Sequence, residues 1–439
     1  MFSSIRISRI VLSCVATVVA MGLVACESGG DADEGDAQIR LLNLSTGYPT
    51  LDLITNVDAD EDDDDETQSS SVALDAASGY VSLEADDYTI KLKRTGSGSI
   101  LRAFAGEELV EGTINTYVAF GEVGAFGALR LDDTLDEADA GETRLNVANV
   151  STAGAVDVYI TDTDVDLDDT TPVLSSVGSA FAQVSVDSGT YRLRVTAAGD
   201  SADVRLDVAS FALADRGVAA LIFTSTQGGM LANAVSMPQE GQPTKILNTK
   251  ARLRGAVGVA NGASASIRAG GLSVLSAATA GVIGSRYTLL DAGSVPVVLA
   301  VNGTAVPVSN VTLQAGADYT LLAWSDASGP RTSLVLDDNR LPSSAGNTKV
   351  RLLNGMSTLA APLTLSVDFS PVIEGAPVGE VSDEVEVSAG TDRQLDVSNA
   401  STAANVLART GITLQANTVY TYFLTDNGAT AIGVLRRDR

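Results

Sequence analysis

Two stretches of the chain crowd carboxylates closely enough to hold a metal ion. Asp58-Ala59-Asp60-Glu61-Asp62-Asp63-Asp64-Asp65-Glu66 forms one, and Asp162, Asp164, Asp166, Asp168 and Asp169 form the other, in the equivalent loop of a similar segment. Calcium takes six to eight oxygens, and closely spaced aspartates can supply several. The second run is not an EF-hand loop, because Leu167 stands where that loop needs glycine and Val173 where it needs a bidentate glutamate. Calcium is therefore a candidate partner without an assigned metal site, and a solvated, self-repelling loop is the plainer reading. Histidine is absent from all 439 residues, which removes the commonest general base and transition-metal ligand. Serine–histidine, cysteine–histidine and histidine–zinc chemistries are excluded, and no Gly-rich phosphate cradle is present, so no cofactor is expected. Paired carboxylates could serve a glycan hydrolase. Such sites lie in aromatic-lined clefts, whereas aromatics make up 5% of this chain and Trp324 is its only tryptophan. A non-enzymatic role is the expectation.

The one residue whose position specifies a covalent reaction is Cys26. Arg6 and Arg9 precede an apolar run from Ile10 to Gly22, which Leu23-Val24-Ala25-Cys26 closes. This order is a charged n-region, a short h-region and a small-residue cleavage site. The run is short of the roughly 20 residues that span a bilayer. It is followed by acidic residues, Glu27 to Glu34, and not by a basic stop-transfer flank. The tetrapeptide resembles the lipobox of bacterial lipoproteins, which implies cleavage before Cys26 and attachment of lipid to its sulfur through a thioether. Glu27, by resemblance to the sorting rule of Gram-negative bacteria, implies the outer membrane. Cys14 falls in the expected signal and Cys26 would be consumed by lipid, so no disulfide is expected and the fold must rest on apolar burial. With a net charge of −27 and no basic stripe, nucleic acid is excluded as a partner. The acidity suits solubility in salt, cation attraction or a saline habitat.

The chain repeats itself with a period of about 100 residues. Ile39-Arg40-Leu41-Leu42-Asn43 recurs as Leu145-Asn146-Val147-Ala148-Asn149, as Ala251-Arg252-Leu253 and as Val350-Arg351-Leu352-Leu353-Asn354. Leu51-Asp52-Leu53 and Val156-Asp157-Val158 each follow an Asn-x-Ser-Thr turn, at Asn43 and Asn149. A Gly turn precedes an alternating strand at Gly189, Gly293 and Gly390, with Asp86 in its place in the first unit. Val311 to Tyr319 parallels Ile412 to Tyr420, with Tyr117 two periods upstream of Tyr319 and Ala220 in place of a tyrosine. Gly316, Asn417 and Gly217 share one turn position of positive φ preference. These tyrosines are expected beneath a sheet corner. Asn302-Gly303 between two apolar runs signals a hairpin.

Short alternating strands, frequent Gly, Asn and Asp turns and a domain-sized period predict an all-β chain of four tandem immunoglobulin-like sandwiches. The expected order is a signal peptide at 1–25, an acidic tether at 26–37, and units 1 to 4 at 38–138, 142–240, 247–341 and 347–439. Joints are expected at Ala138 to Gly141, Pro238 to Pro243 and Pro342 to Gly346, giving beads on a string. The units resemble the domain-of-unknown-function family numbered 4397, found in exported bacterial proteins and lipoproteins. The likeness rests on the opening strand with Asn149, on Asp157 between valines, on Gly189-Thr190-Tyr191, and on the corner Leu313, Gly316 and Tyr319. The resemblance implies no catalytic residue. Together these features describe a lipid-anchored envelope protein that acts as a spacer or an interaction module. Its partners would be the bilayer, through acylated Cys26, and an envelope protein or glycan. A carbohydrate or peptidoglycan binder is the alternative.

Overall fold

The computed structural model describes residues 36–57, 65–134, 136–226, 228–260 and 262–439. Cys26, the signal, most of the expected tether and Asp58 to Asp64 lie outside them. Among the described residues every regular element is a β-strand. The strands form four sandwiches, each with its own apolar core.

One sheet of each unit carries the architecture. Its opening strand (Asp36–Leu44, Glu142–Asn149, Lys250–Gly258, Asn347–Gly355) pairs in parallel with a late strand (Ile114–Glu122, Gly217–Ser225, Asp318–Asp326, Thr418–Asp426). The late strand pairs antiparallel with a closing strand (Ala125–Asp132, Ala232–Pro238, Gly329–Asp337, Ala431–Arg437). A short strand (Val81–Glu84, Ala182–Asp187, Thr288–Asp291, Val385–Ser388) borders the opening strand on its other side. The second sheet, for example Thr50–Val57, Glu66–Ala73, Asp87–Arg94 and Ile100–Glu108 in unit 1, covers one face of the first.

Burial along the opening and late strands shows that the other face is covered too. Every residue of Thr418–Asp426 is buried, as is every residue of Lys250–Gly258 after Lys250. Strands buried on both faces lose the apolar–polar alternation. In unit 3, Leu253 and Val257 point into the unit's own core. Ala256 between them joins Leu322, Leu353 and Phe423 in a cluster shared with unit 4. Leu42, Val118 and Leu131 of unit 1 likewise meet Ile222, Val235 and Met237 of unit 2. The units are therefore docked sheet to sheet, 1 on 2 and 3 on 4, and not strung as separate beads. Small residues permit the approach: a Cβ on Gly258 would lie 2.4 Å from the carbonyl oxygen of Gly355.

The expected joints are ordered parts of this assembly. Residues 239–243 are the turn of a hairpin whose second arm, Thr244–Ile246, extends the unit 2 sheet. Gly141 donates its amide to Asp215 at 2.6 Å, and Ser343 donates to Glu386 at 2.6 Å. Units 2 and 3 also touch, through the amide of Gly228 on the carbonyl of Gly316 at 3.1 Å.

Strand pairing corrects the alignment of the repeats in three places. Arg40 lies opposite Thr116, Arg254 opposite Thr320 and Arg351 opposite Thr421, so Arg254, not Arg252, is the counterpart of Arg40. Arg252 and Arg254 share a face two residues apart, which made the shifted match look equally good. By the same register Tyr319 and Tyr420 correspond to Asn115 and Ala219, while Tyr117 corresponds to Leu321 and Tyr422. The shared turn position is then Gly112, Arg216, Gly316 and Asn417, with φ of 73°, 55°, 79° and 54°; Gly217 is not the left-handed residue. At the crossing between sheets, Gly189 and Gly293 take positive φ but Asp86 and Gly390 do not, so that turn does not demand glycine. The Asn302-Gly303 hairpin forms as expected, both residues at positive φ.

Candidate functional site

The motifs of the repeat resolve into backbone fastenings. Asn43 donates to the carbonyls of Tyr48 and Val72 and accepts from the Ser45 amide. Asn149 and Asn354 hold their loops in the same way, and unit 3 has Val257 there. Asp52 and Asp157 accept the amides of Ser71 and Ser176, each at 2.8 Å. Those serines sit at positive φ in a bulge of the neighbouring strand, a strained conformation that the carboxylate stabilises. The hydroxyls of Tyr319 and Tyr420 accept the amides of Gln314 and Gln415, a sheet corner closed by a tyrosine. Trp324 stands at the seam of units 3 and 4, its indole N–H on Ser333 and Arg331 over its ring.

Among the described residues the acidic loop of unit 2 does not gather its carboxylates into one group. Asp162, Asp164, Asp166, Asp168 and Asp169 are exposed around a buried Leu167. Asp166 accepts the Asp168 amide, and Asp168 accepts from Ser201. Among the described residues no three carboxylates, histidines or cysteines are grouped as a metal site. Asp65, at the edge of the first run, is instead bridged by Lys91 and Lys93, which hold its carboxyl below the ordinary range.

The chemistry concentrated by the fold lies where the sheets dock. In unit 3 the Nε of Arg254 donates to Thr320 at 2.8 Å, and Thr320 donates to Asp337 at 2.7 Å. In unit 4 the Nε of Arg351 donates to Thr421 at 2.8 Å, and Thr421 donates to Asp438. The guanidinium ends then cross over: Arg254 pairs with Asp438 of unit 4, and Arg351 donates to Asp337 of unit 3 at 2.7 Å. Arg351 also reaches the carbonyl of Leu336 at 3.0 Å, and Tyr287 donates to Asp337 at 2.7 Å. Both arginines are 1% exposed. Burial works against the charge on Asp337, but Arg351 and Arg254 outweigh it and hold the carboxyl below its ordinary value. The phenol of Tyr287 is pushed well up by burial and by Asp337.

Units 1 and 2 dock by half of the same device. Arg40 donates to Thr116 at 2.8 Å and to its own Asp133 at 3.1 Å, under the ring of Tyr80. The hairpin turn of unit 2 closes over this group, with Tyr80 donating to the carbonyl of Gln239 and Arg40 to that of Gly241. Burial raises the Asp133 carboxyl despite Arg40 beside it. In unit 2 the register places Asn146 at the arginine position, Ala220 at the threonine, and Gln239 at the aspartate. Arg40, Asn146 and Arg351 are legible in the sequence as parts of strands, but not in this role. The signal was an arginine inside three of the four apolar opening runs, Arg40, Arg254 and Arg351, which needs a buried partner.

A family model for the domain of unknown function DUF4397 matches residues 19–159 and 251–361, more than half of the chain. The chain belongs to that family. The two DUF4397 matches take in unit 1 and unit 3, each continuing into the opening strand of the unit that docks on it. No curated protein matches the DUF4397 chain. Among solved structures it is similar to the carbohydrate-binding module CBMbc (family CBM26) from Eubacterium rectale Amy13K, in complex with maltoheptaose. That similarity has a TM-score of 0.15 and 11% identity, over 44% of this chain and 92% of the module.

Proposed function

We propose that this protein is a non-catalytic scaffold of the bacterial envelope, anchored by lipid on Cys26 to the outer membrane, which holds its four sandwiches at fixed geometry. The observation that carries the scaffold reading is the reciprocal pairing of Arg254 with Asp438 and Arg351 with Asp337. The closest ion pair of each arginine forms only when the neighbour is seated in one register, the carboxylate of its own unit lying 3.6 Å away. A chain of independently tumbling beads has no use for such a lock, because separating the units would remove the closer carboxylate of each guanidinium and leave only the one 3.6 Å away in its own unit. The apolar side chains around it, such as Leu322, Leu353 and Phe423, supply the attraction, at about 1.5–3 kcal/mol for each large side chain fully buried. The anchor rests on the Leu23 to Cys26 pattern and the acidic residues after it. The missing histidine and the commitment of buried carboxylates to arginine or to backbone amides support a non-catalytic role.

Two measurements test this reading. Cys26→Ser is expected to move the protein from the membrane fraction to the soluble fraction; retention in the membrane would refute lipid anchoring. Spin labels on the exposed residues Val123 and Phe369, in units 1 and 4, are expected to give one narrow distance distribution. A broad distribution in the intact chain would refute the rigid scaffold. Glycan binding, the second reading, is favoured by one specific feature of the seam between units 1 and 2.

A further inference from the structure

The vacant arginine position of unit 2 opens a cleft. In the pair of units 3 and 4, the head of Arg351 fills the space between its own strand and the closing strand of unit 3, against Leu336 and Asp337 and near Glu384. The corresponding residues of the first pair are Asn146 for Arg351, Gln183 for Glu384 and Asp132 for Leu336. These three line a cleft of about 460 Å³, together with Ser179 and Phe181. The cleft thus stands where a guanidinium stands in the other pair, and its volume is within the range of small-ligand sites.

The chemistry of the vacated place has changed with its size. Arginine has become asparagine, glutamate has become glutamine, threonine has become alanine and aspartate has become glutamine. The two charges at the cleft that replace Leu334 and Leu336 have partners of their own: Arg130 has Glu107 and Asn115, and the Asp132 carboxylate accepts the Thr134 amide. Asn146 is 6% exposed, and its amide nitrogen donates to no acceptor among the described residues. A buried donor without a partner favours a ligand that brings an acceptor, which an arginine side chain or an amine does not. Carboxamides and a hydroxyl, each able to donate and accept, match hydroxyl groups, and the half-buried ring of Phe181 offers an apolar surface.

We infer that the cleft between units 1 and 2 binds a neutral, hydroxyl-bearing ligand, a saccharide unit of a glycan, with Asn146 as the donor to a sugar oxygen. This goes beyond the scaffold reading, which stands whether or not sugar binds. The test uses the whole chain after the signal and saturation-transfer NMR. The probes are trisaccharides of glucose and of N-acetylglucosamine, with arginine and citrate as charged comparisons. At least one sugar is expected to bind with a dissociation constant of about 1 mM or tighter, and neither charged probe to displace it. Asn146→Leu is expected to weaken binding by about threefold to tenfold. Ala180→Trp, at an exposed position on the rim, is expected to abolish it without moving the melting transition. Absence of signal from both sugars, displacement by arginine or citrate, or undiminished binding in Ala180→Trp would overturn the inference.

Discussion

Asp337 shows how one side chain can bind two domains. It accepts from Thr320 and Tyr287 within its own unit and from Arg351 of the next, with Arg254 3.6 Å away. Removing one partner of a buried ion pair leaves the other uncompensated, at a cost of about 3–5 kcal/mol. Asp337→Ala is expected to lower stability by that amount in urea unfolding followed through Trp324, which stands at the same seam. A loss below about 1 kcal/mol would show that the network is solvated and weak. Asp337 was not legible beforehand because, in the sequence, it is one of two adjacent aspartates after a strand. Only the closing strand's register turns it inward while Asp338 pairs with Arg340 and Lys349 nearer the surface, its carboxyl brought down to about 2. The tyrosine corners were readable, since Leu-x-x-Gly/Asn-x-x-Tyr is a local pattern whose hydrogen bond closes over five residues. Asn146 was not, because its meaning depends on what its counterparts in other units do.

At the level of strands, the opening strand decides whether a unit can dock. In unit 3 its odd-numbered residues fill the unit's own core and its even-numbered residues meet the neighbour, in unit 4 the parity is reversed, and the two docking faces end in Gly258 and Gly355 where the backbones nearly touch. Gly258→Ala places a methyl group 2.4 Å from a carbonyl oxygen of another unit, a contact that can be relieved only by moving whole sheets. It is expected to shift the Trp324 emission and lower the melting temperature, while the far-UV circular dichroism of the strands is retained. An unchanged Trp324 signal would show that the sheets give way easily. Strand identity was readable from alternation and turn residues, and Asn302-Gly303 fixed one hairpin outright. Docking was hidden in the same letters: a strand covered on both faces simply reads as more apolar, and the sequence does not say by what it is covered.

Over the whole molecule the two pairs should answer acid differently. The folded value of Asp337 is depressed below 3.8, so its contribution is complete above that pH and is lost as pH falls through the depressed value. Asp133 has a raised value. Its ionised form disfavours the folded state, and protonation on acidification relieves that penalty. The seam of units 3 and 4 is therefore expected to open first as pH drops below about 3.8. Trp324 fluorescence, which reports that seam alone, should change before the far-UV signal does; coincident changes would count against the difference. What the repeat period conveyed was the number of sandwiches, but neither their pairing nor the closure of the first pair by residues 238–246, because contacts between units leave no period in the sequence.

The crossed arginines carry one more implication. An arrangement in which Arg254 meets Asp438 and Arg351 meets Asp337 has the reciprocity of a twofold-symmetric dimer contact. Unit 3 bears both the cation and the anion of that exchange, so its docking face is complementary to another copy of itself. Connecting units 3 and 4 in one polypeptide places the correct mate at high local concentration. It thereby keeps neighbouring molecules from exchanging partners and polymerising through their own interior faces.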